Sequence, residues 1–170
     1  MKPNFLLLLI VFFCFSAASF AKKDDFEVKV FSQSTGSDKN NKSVGLIIKR
    51  RIGADFDTKQ RITIQFYLLK CPKVENCRTI DDEYAAVGSV KGKKLAKTEM
   101  LALRINLAEF YWRPTMSSID GMIAQNFSKV SKDNKYFYAE IEVCKKSETK
   151  NAKPACTSYV SNEIVLNLKQ

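Results

Sequence analysis

The C-terminal quarter of the chain, Lys135–Leu168, constrains the fold more than any other stretch. Apolar and polar side chains alternate along Tyr136–Cys144 and again along residues 161–168, which is the pattern of a half-buried β-strand. A polar loop separates the two segments, with Cys144 at one end and Cys156 at the other. The stretch therefore predicts two paired strands joined by a loop that a local disulfide closes.

Similar alternation recurs earlier in the chain and predicts an antiparallel all-β fold. The predicted strands cover residues 25–31, 44–52, 61–69 and 101–112, with a short edge strand between 84 and 90. Helix is the rival interpretation for residues 101–112, although period two fits better. Residues 117–130 carry a helix N-cap pattern followed by apolar residues at helical spacing, which predicts one short helix. Together these elements predict an antiparallel β-sandwich with about one short helix.

The end of the chain also resembles a known family. Tyr136, Tyr138 and Cys144, followed by Tyr-Val-Ser-Asn-Glu-Ile at residues 159–164, resemble the last hairpin of a fibronectin type III or related immunoglobulin-like domain. The resemblance covers the C-terminal hairpin alone. It implies an immunoglobulin-like sandwich, and because many unrelated functions share that fold, it implies no activity and no site.

Residues 1–21 have the composition of a cleaved secretory signal. Lys2 precedes an apolar run at residues 5–15, and small residues follow up to Ala21. Eleven apolar residues are too few to span a bilayer, which takes about 20. We therefore expect a secreted or periplasmic protein with one domain at residues 22–170 and no transmembrane segment after cleavage. The short Lys-led signal and the abundance of Lys and Asn suggest a bacterial source.

The four cysteines outside that signal favour disulfides over metal. An even number in an exported chain predicts two bridges. Cys71–Cys77 and Cys144–Cys156 are the favoured pairs, because each flanks a polar loop. The spacings differ from the C-x2-C of zinc sites, so we expect no metal and no cofactor.

The chain is basic, with a formal net charge of +10, and it contains no histidine. Removal of the signal takes away one charge, Lys2. If the two densest basic runs lie on one side of the sandwich, they form an anion-binding face. These runs are Lys49, Arg50, Arg51 and Lys91, Lys93, Lys94, Lys97, and a third set (Lys145, Lys146, Lys150, Lys153) follows in the last loop. The alternative is ordinary solvated surface charge.

The expected partners are an anionic lipid, an acidic glycan or a protein. Nucleic acid is disfavoured because no aromatic residues interleave with the basic runs. Trp112, within Phe110–Pro114, has neighbours typical of an interface hot spot, although core packing explains this run equally well.

Catalysis is not expected. Without histidine the chain has no Ser-His-Asp or Cys-His pair. A carboxylate hydrolase drawing on Asp81, Asp82, Glu83 and Glu109 is one alternative. A periplasmic structural or chaperone-like subunit that pairs through a sheet edge is another. We expect instead a small exported binding module, with an effector or adhesion-like role toward a host as one possibility.

Overall fold

The computed structural model of the chain describes residues 24–32, 43–75, 83–115, 124–130, 133–147 and 152–167. The predicted signal segment lies outside these residues. Within them the strands are β1 Phe26–Ser32, β2 Ser43–Arg50, β3 Arg61–Leu69, β4 Glu83–Lys91, β5 Met100–Asn106, β6 Tyr111–Pro114, β7 Gln125–Asn126, β8 Tyr136–Cys144, β9 Cys156–Val160 and β10 Ile164–Val165. One α-helix, α1, spans Gly92–Ala96, and short 3-10 turns cover Lys73–Glu75, Leu107–Glu109 and Phe127–Lys129.

The strands form two antiparallel sheets. A three-stranded sheet has the order β1-β2-β5, and a seven-stranded sheet has the order β10-β8-β3-β4-β6-β7, with β9 also paired to β8. β9 lies opposite residues 140–144 of β8, and β10 lies opposite Tyr136 and Phe137. The last two strands therefore occupy the same edge of β8 in succession. The predicted all-β, antiparallel architecture is confirmed.

The core lies between the sheets and is filled by alternate residues of each strand. The core-facing residues of β1, β2, β3 and β8 keep the predicted period of two, although Gly45, Leu69 and Tyr138 are buried out of phase. The core-facing residues all belong to one continuous apolar cluster. Burying each such side chain contributes about 1.5–3 kcal/mol, so the alternation both orients the strands and stabilises the sandwich. The buried sets are Ile62, Ile64, Phe66, Leu68; Phe137, Ala139, Ile141, Val143; Phe26, Val28, Val30; and Val44, Leu46, Ile48.

The strand predicted at residues 101–112 is interrupted and changes sheet. β5 ends at Asn106, whose side chain accepts a hydrogen bond from the Ala108 N–H at 3.2 Å and begins the 3-10 turn. The Trp112 Nε1–H donates to the Leu107 carbonyl at 3.1 Å. These local bonds satisfy polar groups that would otherwise pair in a ladder. The chain leaves the three-stranded sheet at the turn and joins the seven-stranded sheet as β6.

The helix predicted within residues 117–130 is wrong over its described part. Residues 125–130 form β7 and a 3-10 turn, and residues 116–123 lie outside the described residues. Phe127 and Val130 are buried, and the Phe127 ring contacts the Trp112 ring at 5.9 Å. The apolar spacing there reflects core packing. The α-helix lies at Gly92–Ala96, inside a basic run that carries no helical apolar pattern.

The side chain of Asn162 links the two sheets near the C-terminus. The Asn162 Oδ1 accepts a hydrogen bond from the Val30 N–H, and its Nδ2 donates to the Val30 carbonyl, both at 2.9 Å. Ser161 holds this segment against β8, since its Oγ accepts from the Ala139 N–H at 2.9 Å. β1 is therefore fixed to the seven-stranded sheet at the break between β9 and β10.

Among the described residues, the structure has no helix with the length and apolar character that crossing a membrane requires.

Candidate functional site

The strongest candidate is the end of the sandwich where β2, β4 and β8 finish and β3 begins. Main-chain hydrogen bonds join the segments there: the Asp57 N–H donates to the Cys144 carbonyl at 2.9 Å, and the Gly92 N–H donates to the Gln60 carbonyl at 3.0 Å. The Arg50 N–H donates to the Glu99 carbonyl at 2.7 Å. We call this region the basic end; its described residues are 49–61, 91–100, 144–147 and 152–156.

Helix α1 is seated on the basic end by its first residue. A Cβ on Gly92 would lie 2.8 Å from the Gln60 carbonyl oxygen and 3.0 Å from those of Asp57 and Thr58. Only glycine fits there without moving main chain. Leu95 is fully buried beneath the helix. The short helix therefore presents its lysines outward from a fixed base.

Arg50 connects the first basic run to this helix. Its Nε–H donates to the Leu95 carbonyl at 3.2 Å, which satisfies a carbonyl of the last helical turn and places a cation where the helix dipole favours one. The two basic runs therefore do lie together, as the hypothesis of one basic face requires. Within the two runs, the exposed cationic side chains are Lys49, Arg51, Lys91, Lys93, Lys94 and Lys97, and Lys59 and Arg61 are exposed beside them.

Two arginines at this end have partners of their own. The Arg51 Nη2 forms an ion pair with the Asp25 Oδ1 at 2.6 Å, so part of its charge is neutralised. The Arg61 Nε donates to the Ser89 Oγ at 2.9 Å, and Arg61 lies opposite Lys91 in the β3–β4 register. The hydroxyl partner leaves the charge of Arg61 intact, so Arg61 adds to the charge of the lysines at this end.

The third basic run also lies at this end; the sequence had offered the Lys91–Lys97 run and the Cys144–Cys156 loop as candidates for a contact surface. Cys144 and Cys156 form a disulfide and pair directly across β8 and β9. The Lys145 N–H donates to the Ala155 carbonyl at 2.9 Å just beyond it. Lys145, Lys146 and Lys153 are exposed on this hairpin loop, and Lys150 lies outside the described residues. Three basic runs thus converge.

The disulfide also accounts for the metal-like group formed by Glu142, Cys144 and Cys156. Their ligand atoms lie within 4.8 Å of one another, but both sulfurs are used by the bridge. A single exposed carboxylate remains. Within the residues that the structure describes, this is the one such group of three.

An apolar side chain stands at the tip of the basic end. Ala54 N–H donates to the Arg51 carbonyl at 3.1 Å, and Gly53 has a φ of +81°, as a tight turn with glycine at its third position requires. Ile52 occupies the second position and is 77% exposed. The turn therefore holds an isoleucine outward among lysines and arginines.

Trp112 is corrected from a contact residue to a core residue. Its side chain is 0% exposed, and its indole N–H is satisfied by Leu107. No partner could reach it without opening the fold. Residues 110–114 resemble an interface in the sequence because aromatic side chains are frequent both in protein cores and in interface hot spots.

The remaining predicted residues are placed only in part. Cys71 is disulfide-bonded, and Cys77, its expected partner, lies outside the described residues, as do Asp81 and Asp82. Glu83 is half-buried at the start of β4. Glu109 accepts a hydrogen bond from the Asn106 Nδ2 at 3.0 Å, as a local turn contact.

Comparisons with protein-family models, with curated proteins and with solved structures find no match to this chain.

Proposed function

We propose that the chain is an exported binding module whose basic end engages an anionic partner, either lipid headgroups or an acidic glycan or protein. The observation that carries this proposal is the convergence of three basic runs, remote in sequence, at one end of the sandwich. Strands hold the runs rigidly, and loops and one helical turn form the contact surface, which is a common arrangement for binding sites.

The charges are arranged to act at short range. Each Lys or Arg near an anionic membrane surface contributes about 1 kcal/mol, and this attraction falls off over the Debye length, about 8 Å at physiological salt. Lys93, Lys94 and Lys97 project from one helical turn. An anionic surface that contacts this turn can therefore meet all three at once.

We also propose that the protein is exported and that its sandwich is of the immunoglobulin-like class. The first, second and fifth strands share one sheet while the third, eighth and ninth share the other. This partition follows the A-B-E and C-F-G grouping of immunoglobulin domains. The Cys144–Cys156 bridge is typical of proteins from an oxidising compartment, and residues 1–21 have signal-like composition.

The test compares two triple variants of equal net charge. Lys93→Ala/Lys94→Ala/Lys97→Ala should weaken binding to phosphatidylserine vesicles or to immobilised heparin by about two orders of magnitude, from three charges at about 1 kcal/mol each. The matched control changes Lys70, Lys129 and Lys135, away from the basic end, to Ala and should lose far less. Equal losses in both variants would show that net charge alone governs binding and would refute a localised basic site.

A further inference from the structure

The basic end combines a high density of positive charge with an exposed apolar tip. Its described residues contain twelve Lys and Arg against three acids, Asp55, Asp57 and Glu99. At the tip, the side chain of Ile52 is 77% exposed. An acidic glycan can pair with the charges but has no apolar interior to receive an isoleucine. An anionic bilayer offers both a charged surface and an apolar interior, so the two features together favour a lipid partner.

The turn that carries Ile52 is held firmly by the rest of the fold. The Arg51 N–H donates to the Asp25 carbonyl at 2.9 Å, and the Arg51 Nη2 pairs with the Asp25 Oδ1 at 2.6 Å. The Ala54 N–H closes the turn on the Arg51 carbonyl, and Phe56, just beyond it, is buried in the core. Because this support is fixed when the protein folds, insertion of Ile52 into a partner does not have to order a loop.

Cations lie beside this turn on the side of β2 and α1. Arg50 precedes Ile52 by two residues, a distance of at most about 7 Å, and its Nε–H donates to the Leu95 carbonyl of α1. The lysines of α1 are therefore close to the turn. Met100 adds a second apolar side chain, since it is 55% exposed and lies opposite Lys49 in the β2–β5 register. Long lysine side chains can stay at the headgroups while an apolar neighbour enters the bilayer.

The opposite end of the sandwich has an exposed apolar residue in a different setting. Val74 is 91% exposed and follows the end of β3, a strand of nine residues that spans about 26 Å from its start at the basic end. Lys73, its neighbour, is held there because its N–H donates to the Glu163 Oε2 at 2.8 Å. Single exposed apolar residues are common on protein surfaces, so Val74 provides the matched comparison for Ile52.

We propose that the basic end docks on an anionic membrane, with Ile52 inserted at the boundary between the headgroups and the acyl chains and the neighbouring cations at the headgroups. This inference rests on the proposed function, since it takes the basic end as the contact surface, and it adds that the partner is a lipid bilayer. Salt screens the attraction between the cations and the headgroups, whereas burial of an apolar side chain does not depend on charge. Binding should therefore keep a salt-resistant part that Ile52 supplies.

The first experiment places a fluorescent reporter at each apolar position, as Ile52→Trp and Val74→Trp. Trp112 is fully buried and supplies a constant background. With vesicles of equal parts phosphatidylserine and phosphatidylcholine, the emission of Ile52→Trp should shift to shorter wavelength and should be quenched when the phosphatidylcholine is brominated on its acyl chains. Val74→Trp should show neither change. Vesicles of phosphatidylcholine alone should bind both variants at least tenfold more weakly.

The second experiment separates insertion from charge. Ile52→Ser should weaken binding to the anionic vesicles about tenfold and should leave binding to immobilised heparin unchanged. Val74→Ser should change neither affinity. Lys93→Ala/Lys94→Ala/Lys97→Ala should weaken binding to both probes, because it removes charge that a membrane and a glycan use alike.

The outcomes distinguish this inference from the proposed function. Binding of the native protein to heparin but not to the anionic vesicles would overturn the membrane inference and leave a glycan or an acidic protein as the partner. Vesicle binding without quenching of Ile52→Trp by brominated lipid would also overturn it, since the protein would then rest on the headgroups by charge alone. If the triple lysine variant kept native affinity for both probes, the proposed function would fail together with the inference.

Discussion

Replacing Asn162 by Ala should destabilise the protein by about 3 kcal/mol. The substitution removes the two hydrogen bonds that fix Val30 of β1 to the seven-stranded sheet. Val30 is 3% exposed, but Asn162 is exposed, so water replaces the lost partners only in part. Each net hydrogen bond contributes about 1 kcal/mol, and each buried group left unsatisfied costs about 1–3 kcal/mol. The two lost bonds account for about 2 kcal/mol, and incomplete hydration of the two main-chain groups adds about 1 kcal/mol.

Asn162→Asp separates the two bonds. The new carboxylate can still accept from the Val30 N–H but faces the Val30 carbonyl with an acceptor. Protonation supplies the missing donor, so the folded state raises the pKa of the new carboxyl above its unfolded value of about 3.9. The stability of this variant is then highest below about pH 4 and is lost as the pH rises through the folded pKa.

The assay is equilibrium urea unfolding at several pH values, followed by the fluorescence of Trp112 with the disulfides intact. Asn167→Ala, an exposed change five residues away, serves as the control and should stay within about 0.5 kcal/mol of the native protein. A loss below about 0.5 kcal/mol for Asn162→Ala, or a pH-independent Asn162→Asp, would refute the account of Asn162 as a link between the sheets.

Three further predictions concern the hairpin, a tyrosine and the exposed turn. Replacing Cys144 and Cys156 together by Ser should lower the free energy of unfolding by about 3 kcal/mol, from the entropy of closing a loop with a sequence separation of 12; a shift below 1 kcal/mol in urea melts would contradict it. Burial, then the charges of Glu140 and Glu83, raises the pKa of Tyr67 above 10.0, so the stability that its protonated hydroxyl contributes is present below pH 10 and is lost above it. Tyr67→Phe should therefore flatten the fall in unfolding free energy at alkaline pH, and identical slopes would disprove this. Ile52→Ser should leave stability unchanged but weaken binding to anionic vesicles about tenfold or more if the isoleucine enters the bilayer, while an undiminished vesicle affinity would exclude that insertion.

The sheet core was largely predictable from sequence because each central strand is buried on one face. Period two then appears directly in β1, β2, β3 and β8, and the structure keeps each predicted phase. The break after β5 was harder, since Leu107 continues the apolar phase. One local signal was present: Asn106 and Glu109 have the spacing of a capping box, and their side chains do bond each other.

Of the basic end, the sequence predicted the positively charged runs but not their positions relative to one another. Composition identifies the basic runs, but their convergence depends on which strand ends meet, a tertiary property. The role of Asn162 as a link between the sheets could not be predicted, because the Asn162–Val30 contact joins residues 132 positions apart. The α1 helix escaped prediction for a related reason. Gly92 is required by the close approach of three main-chain carbonyls, which the sequence does not reveal. A helix of five residues is also too short to show apolar residues at helical spacing.

The main-chain hydrogen bonds of the basic end have a thermodynamic consequence for recognition. Cys144 supports Asp57, Gln60 supports Gly92, and Glu99 supports Arg50, so segments distant in the chain brace one another. The main chain beneath the lysines is ordered when the protein folds, and a partner need not meet that entropic cost again on binding. Such preorganisation favours a partner whose charges are spaced to match the lysines over a flexible polyanion that must adapt to them.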